Sequence, residues 1–433
     1  MAPRPVNARA IALQLIEAVL RDGQPLDEAW ASAKALARLE PRDRAFARVL
    51  AATVLRRLGQ LDALIDGCMD RPLKPKLDRL RGVLRLGAAQ IAFLGTPPHA
   101  AVNSSVDLAV ASRLGTFKGL VNAVLRRVAR EGEALVAGQD AARLNTPAWL
   151  WESWVACHGE AVARAIAEAH LADPPLDLTL KLSEDVETWA ARLGAIALPG
   201  GGLRLGPGQG DVAGLAGFAE GAWWVQDFAA SLPAKLLGPV AGLRVADLCA
   251  APGGKTMQLA AAGAAVTAVD LSRRRLERVS ENLARTNLAA ELIRADATEW
   301  RPKEPFDAVL LDAACSATGT LRRHPDIAHL KQPADLVALT ELQDRLLANA
   351  IQMVKPGGLL VYATCSLQPE EGVERMAKLL TADGALSRRL IEPAEIGGAA
   401  KAVTEEGDLR TLPSFWPDRG GMDGFYACRL TRA

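Results

Sequence analysis

The chain has 433 residues, half of them hydrophobic and 23% charged, a balance that fits two to four globular domains and excludes a mainly disordered chain. Six cysteines, none in a C-x-x-C pair, exclude a disulfide framework and a zinc ribbon. The net charge of +1 hides an asymmetry: residues 1–130 hold 21 Arg and Lys against 11 Asp and Glu, a surplus of +10, and the remainder carries −9. This is the pattern of one module that meets a polyanion such as nucleic acid while another does something else, against the plainer reading of a solvated helical surface rich in Arg.

The first twenty residues contain Arg4, Arg9 and Glu17 with apolar positions at helical spacing, so they read as an amphipathic helix and not as a signal peptide. No run approaches the roughly 18 consecutive apolar residues that span a bilayer, and a cytoplasmic protein without a membrane partner is expected. From Asn7 to about Arg130, apolar residues recur at three and four, with breaks at Asp22-Gly23, Glu40-Pro41, Pro72 and Thr96-Pro97-Pro98. This predicts an all-α domain over residues 1–132. Over 133–220, Pro147, Pro174 and Pro175 precede the alternating run Leu176 to Lys181, a helix from Val186 to Leu193 and a glycine-rich stretch from Pro199 to Gly210. That pattern predicts a small α+β domain. Over 221–433, short apolar runs at Leu243 to Leu248, Ala265 to Leu271, Glu291 to Ala295, Phe306 to Leu311 and Leu359 to Ala363 alternate with helical stretches. They predict an α/β Rossmann-like domain whose parallel sheet is covered on both faces, with ligands at the carboxyl ends of the strands.

The first of those strands runs into Cys249-Ala250-Ala251-Pro252-Gly253-Gly254-Lys255-Thr256. A phosphate-binding loop would need glycine where Cys249 stands, and the G-x-G-x-x-G fingerprint is absent. What remains is a tight glycine turn that lets a ligand approach the backbone. Asp270, at the end of the second strand, suits a ribose diol, and Asp296, at the end of the third, suits the adenine amino group. Together they describe a pocket for a nucleoside with a short polar tail, for which S-adenosylmethionine is the economical candidate. The competing readings are that Asp270 only caps the helix starting near Ser272 and that Asp296 only ends a strand.

The fourth strand closes with Asp312-Ala313-Ala314-Cys315-Ser316, and the next with Thr364-Cys365-Ser366. Neighbouring parallel strands lie about 4.8 Å apart, so the two thiols can converge on one cavity. Cys68, Cys157 and Cys428 read instead as small buried hydrophobes. Two thiols beside a methyl-donor pocket suit methylation of a pyrimidine at carbon 5. A thiolate that adds to carbon 6 makes the ring an enamine, rich at carbon 5. Asp312 is placed to orient the base and stabilise developing charge, and a second thiol can assist release. On spacing alone, Cys315 and Cys365 are equal candidates for the nucleophile.

These motifs closely resemble the RNA 5-methylcytosine methyltransferases of the Sun, Fmu or RsmB group. The resemblance implies Cys365 as nucleophile, Cys315 in release and Asp312 as a third catalytic residue. It also implies S-adenosylmethionine bound by Cys249 to Lys255 with Asp270, Asp296 and Asp312, and small-subunit (16S) rRNA as substrate. The helical domain is similar to the antitermination factor NusB at His99 to Asn103 and Val121 to Arg126, which implies RNA contact there. Trp224-Val225-Gln226-Asp227 resembles the segment that leads into the catalytic domain, and Gly424 to Leu430 a last antiparallel strand. Two positions depart from the group's pattern. Ala314 stands where proline is usual, which implies a less rigid Cys315 loop, and Ala317 often has glycine in its place.

The target base must be splayed out of its stack, and Arg322-Arg323-His324-Pro325-Asp326 is placed to hold the neighbouring phosphates, against the plainer reading of a solvated turn. Trp223 and Trp224 read as core residues before stacking platforms. His324 and His329 have no cysteine partner nearby, so no metal is expected, and a monomer is expected. The competing function is a non-catalytic NusB-like RNA-binding or ribosome-assembly factor with a vestigial methyltransferase fold. A methyltransferase directed at nitrogen or oxygen is a third possibility and would need neither thiol.

Overall fold

The computed structural model describes residues 7–181, 185–382 and 384–433; Arg4 lies outside them. The chain divides into two compact units.

The first unit contains residues 7–171 together with Leu321–Lys331. Its helices begin and end where the sequence changes grammar. Asn7 caps Ala8–Leu20 through its side chain, Pro41 opens Pro41–Arg56, and Pro98 opens Pro98–Ala111. Proline is tolerated at these first positions because its missing N–H would be unbonded there in any case. The helix Lys118–Ala137 buries Val121, Val124, Leu125 and Val128, one face at helical spacing. Each such side chain contributes roughly 1.5–3 kcal/mol on burial. The same helix runs through the boundary expected after residue 132, and residues 133–171, with the helices Ala148–His158 and Glu160–Leu171, cluster with the N-terminal helices. Pro147 precedes a helix there, so that proline marks an element start, and the change of unit comes at Leu171–Ala172, just before Pro174 and Pro175.

The second unit contains Ala172–Thr320 and Gln332–Ala433. Its first sheet is built from β1 (Leu176–Leu180), β2 (Ile196–Leu198), β3 (Gly202–Leu205) and β4 (Trp223–Val225), in the antiparallel order β2-β3-β1-β4. A buried ion pair between Arg204 and Asp177, with N–O distances of 2.6 and 2.7 Å, joins β3 to β1. Trp223 and Trp224 are buried, as expected of core residues.

The second sheet takes β5 (Arg244–Leu248), β6 (Ala265–Asp270), β7 (Glu291–Arg294), β8 (Phe306–Asp312), β9 (Val354–Thr364), β10 (Leu386–Arg388), β11 (Leu409–Thr411) and β12 (Phe425–Arg432). Its order is β10-β12-β9-β8-β5-β6-β7, with β11 also on β12. From β7 to β9 all pairs are parallel, while β12 is antiparallel to β9. Alternate residues feed two separate cores. Val245, Leu310 and Val361 pack with Leu232 and Leu259, whereas Ala246, Leu311 and Tyr362 pack with Leu347 and Met353. Helices therefore cover both faces, which is why these strands read as nearly continuous apolar runs.

Candidate active site

The register of the parallel strands sets the site. Leu248 on β5 pairs with Leu311 on β8, and Asp312 on β8 pairs with Ala363 on β9. Cys249, Cys315 and Cys365 thus follow three adjacent strand ends, and all three are half-buried. The Sγ atoms of Cys315 and Cys365 lie 3.5 Å apart. The shared hydrogen bond with Cys365, then burial, raise the pKa of Cys315 well above the ordinary thiol range. Cys315 is therefore a neutral thiol able to donate. Of the other cysteines, Cys68 and Cys428 are buried, but Cys157 is exposed, which corrects its reading as a core residue.

The glycine turn is built by backbone. Cys249 takes φ +60°, Gly253 takes φ +100°, and Gly253 N donates to Ala250 O at 2.8 Å. Burial pushes the Cys249 thiol up to about 12, against a hydrogen bond donated by the Ala314 N–H, a bond that proline at 314 could not make. The turn is tied to the helix Arg273–Thr286 by Arg275, which donates to Ala251 O at 3.0 Å, and by Asn282, which donates to Pro252 O at 3.2 Å.

Asp270 is buried; its Oδ2 accepts from Ala251 N at 3.2 Å and its Oδ1 from Ser272 N at 3.0 Å. The helix cap is Ser272, whose hydroxyl accepts from Arg275 N, so capping is not what Asp270 supplies. Asp296 is exposed at the end of β7; its Oδ1 accepts from the N–H and the hydroxyl of Thr298, and that backbone bond, then the hydroxyl, hold its carboxyl below the usual range.

Lys255 and Asp312 form an ion pair of 2.7 Å. Burial pulls the Lys255 ammonium down, but Asp312, then Asp247 and Cys365, outweigh it and raise its pKa. Asp247, one residue before the end of β5, is wholly buried. Its Oδ2 accepts from Thr256 Oγ1 at 2.6 Å, and its Oδ1 has no partner among the described residues. Burial pushes this carboxyl up to about 7. An unpaired buried acceptor beside a glycine turn, with carboxylates at the next strand ends, fits a ligand that brings a donor such as an α-ammonium group.

Sequence reasoning missed a buried polar network behind the two thiols. Glu371, fully buried, accepts from Ser316 N at 2.9 Å, from Ser316 Oγ and from Gln343 Nε2 at 3.0 Å. Ser316 Oγ is also 3.0 Å from Ser366 Oγ. The repeated Cys-Ser pair was the available signal. Nothing in the spacing shows that a glutamate six residues after Cys365 turns inward to meet it.

The proposed phosphate clamp needs correction. Arg322 is only 1% exposed, its carbonyl accepts from Arg56, and Asp326 Oδ2 accepts from Leu26 N at 2.9 Å. The segment Leu321–Lys331 clusters with the N-terminal unit, and Arg322 and Asp326 are packed side chains, while Arg323 and His324 are half-buried. Among the described residues no cluster of His, Cys, Asp or Glu could hold a metal, and no helix is long and apolar enough to cross a membrane.

Residues 234–431 match the family model of 16S rRNA methyltransferase RsmB/F, and residues 6–130 match the NusB family. The chain is similar to ribosomal RNA small subunit methyltransferase B of Klebsiella pneumoniae, at 38% identity over 93% of this chain and 96% of that protein. The protein of the same name from Pseudomonas putida is 38% identical over 99% of both chains. The crystal structure of PH0851 shares the fold, with a TM-score of 0.77 over 99% of both chains at 22% identity. The chain therefore belongs to the ribosomal RNA small subunit methyltransferase B family.

Proposed function

We propose that this rRNA methyltransferase modifies carbon 5 of a cytosine in 16S rRNA through a covalent bond between Cys365 Sγ and carbon 6. The observation that carries the reading is the pair of thiols 3.5 Å apart on adjacent strand ends, beside the Lys255–Asp312 ion pair. A methyltransferase acting on nitrogen or oxygen has no use for them.

The methyl donor is S-adenosylmethionine, with the turn Cys249 to Lys255, Asp270, Asp296 and Asp312 as the residues that hold it. In this reading Cys365 adds to carbon 6, and the electron pair of the C5–C6 double bond moves to carbon 5. Bound S-adenosylmethionine supplies the methyl group that carbon 5 takes, the electrons of its C–S bond staying on its sulfur. Asp312 accepts from the exocyclic amine, and Lys255 balances its charge in a site where water is scarce. The carbon-5 proton then leaves to solvent, its bonding pair rebuilds the double bond, and the C6–S bond breaks to expel the Cys365 thiolate. The neutral Cys315 thiol donates a hydrogen bond to that thiolate as it departs. The basic surplus of residues 1–130 supports RNA contact by the NusB-like region through its phosphates.

The test is trapping. RNA carrying 5-fluorocytidine has no proton to lose from carbon 5, so with S-adenosylmethionine it should leave a denaturation-resistant complex. Cys365→Ala should abolish that complex, and Cys315→Ala should accumulate one on ordinary RNA. Methylation without any trapped complex would overturn the reading.

A further inference from the structure

We infer that Glu371 is a positioning residue that sets the Cys315 thiol for release of the adduct; the inference rests on the carbon-5 reading above. Cys315 lies between two peptide groups that answer to this one carboxylate. On its C-terminal side, the N–H and hydroxyl of Ser316 both donate to Glu371. On its N-terminal side, Gln343 Nε2 donates both to Ala314 O, at 2.9 Å, and to Glu371 Oε1, at 3.0 Å. Glu371 and Gln343 are fully buried, where a carboxylate persists only if its lone pairs are filled. The backbone of Glu371 is fixed in turn: its carbonyl accepts from Tyr362 Oη at 2.9 Å, which ties it to β9, the strand that leads to Cys365.

The arrangement makes Glu371 a bracket between the two thiol loops. Gly319 N, donating to Cys365 O at 2.9 Å, and Leu367 N, donating to Thr318 Oγ1 at 3.0 Å, hold the far side of the Cys315 loop and do not involve Glu371. Removing the carboxylate therefore takes away the acceptor of Ser316 N and of Gln343 Nε2 and loosens the stretch 314–316, while Ser316 Oγ keeps Ser366 Oγ and the loop as a whole stays anchored. Cys365 keeps its strand end and its reach to carbon 6. What is lost is the placement of the Cys315 Sγ against it.

The experiment separates adduct formation from adduct release. Glu371→Ala should keep S-adenosylmethionine affinity and should transfer the first methyl group at close to the wild-type rate. Steady-state turnover should fall on the order of 10- to 100-fold, and a denaturation-resistant complex should build up on ordinary cytidine RNA. Glu371→Gln retains an acceptor for Ser316 N and Gln343 and should recover most of the turnover. If Glu371→Ala fails to bind S-adenosylmethionine through misfolding, Gln343→Leu cuts the same bracket on the Ala314 side and should accumulate the same complex. First-turnover and steady-state rates that fall together, or variants that build up no complex, overturn the inference. A wild-type protein that gives no trapped complex on 5-fluorocytidine RNA overturns the carbon-5 reading and the inference with it; a trapped wild type with indifferent variants overturns the inference alone.

Discussion

The carboxyl of Asp247, one residue before the end of β5, has one oxygen bonded to Thr256 and the other without a partner among the described residues. Burial lifts its pKa from the ordinary 3.8 to about 7, so the folded chain binds more protons than the unfolded one between those values. The penalty of holding this group is absent below about pH 4 and grows until about pH 7, where it reaches on the order of 4 kcal/mol. Asp247→Asn should therefore gain stability relative to wild type as pH rises from 5 to 8. The check is the urea midpoint of both proteins across that range, where parallel curves would contradict the burial argument. Backbone tension sits close by. Cys249 and Ala317 both occupy the left-handed region, at φ +60° and +59°, where a side chain costs roughly 1–2 kcal/mol. A glycine at 317, which the resemblance noted above implies for the group, would relieve that strain, a reason that spacing alone could not supply.

At the level of elements, the two thiol loops are joined by main chain as well as by side chains. Gly319 follows the Cys315 turn, donates to Cys365 O and accepts from Gly424 N just before β12. A Cβ on Gly319 would meet Gly424 O at 2.0 Å, contact that backbone cannot yield without moving. Gly319→Ala should cost about 3 kcal/mol or more and lower the denaturant midpoint without changing its slope. The strands themselves were legible because buried parallel strands are short apolar runs between helical stretches, as at Phe306 to Leu311. β10 and β11 were not, since each is three residues long and draws its stability from pairing with β12. Glu371 was hidden for a related reason: a charged residue in a turn reads as solvated until the fold turns it inward.

Across the whole chain, sequence order and compact unit part company at Leu321–Lys331, which follows the Cys315 loop in sequence and belongs to the N-terminal unit in space. Asp326 there accepts from the buried N–H of Leu26, and His329 Nε2 lies 2.8 Å from Leu55 O. Asp326→Ala leaves the Leu26 N–H buried and unpaired and should destabilise that unit by about 1–3 kcal/mol. Hydrogen exchange should quicken at Leu26 and its neighbours, and unchanged exchange would show that the segment is not structural.

The amino-acid order by itself determined the helical and α/β regions, the strand-end position of the thiols Cys315 and Cys365 and of Asp270, Asp296 and Asp312, and the candidacy of both thiols, because periodicity and strand-end motifs are local properties of the chain. Only the tertiary structure decided that the thiols face each other at 3.5 Å, that Arg322 is interior and that Glu371 braces the site. Those facts depend on contacts between residues tens or hundreds of positions apart, which no local pattern records.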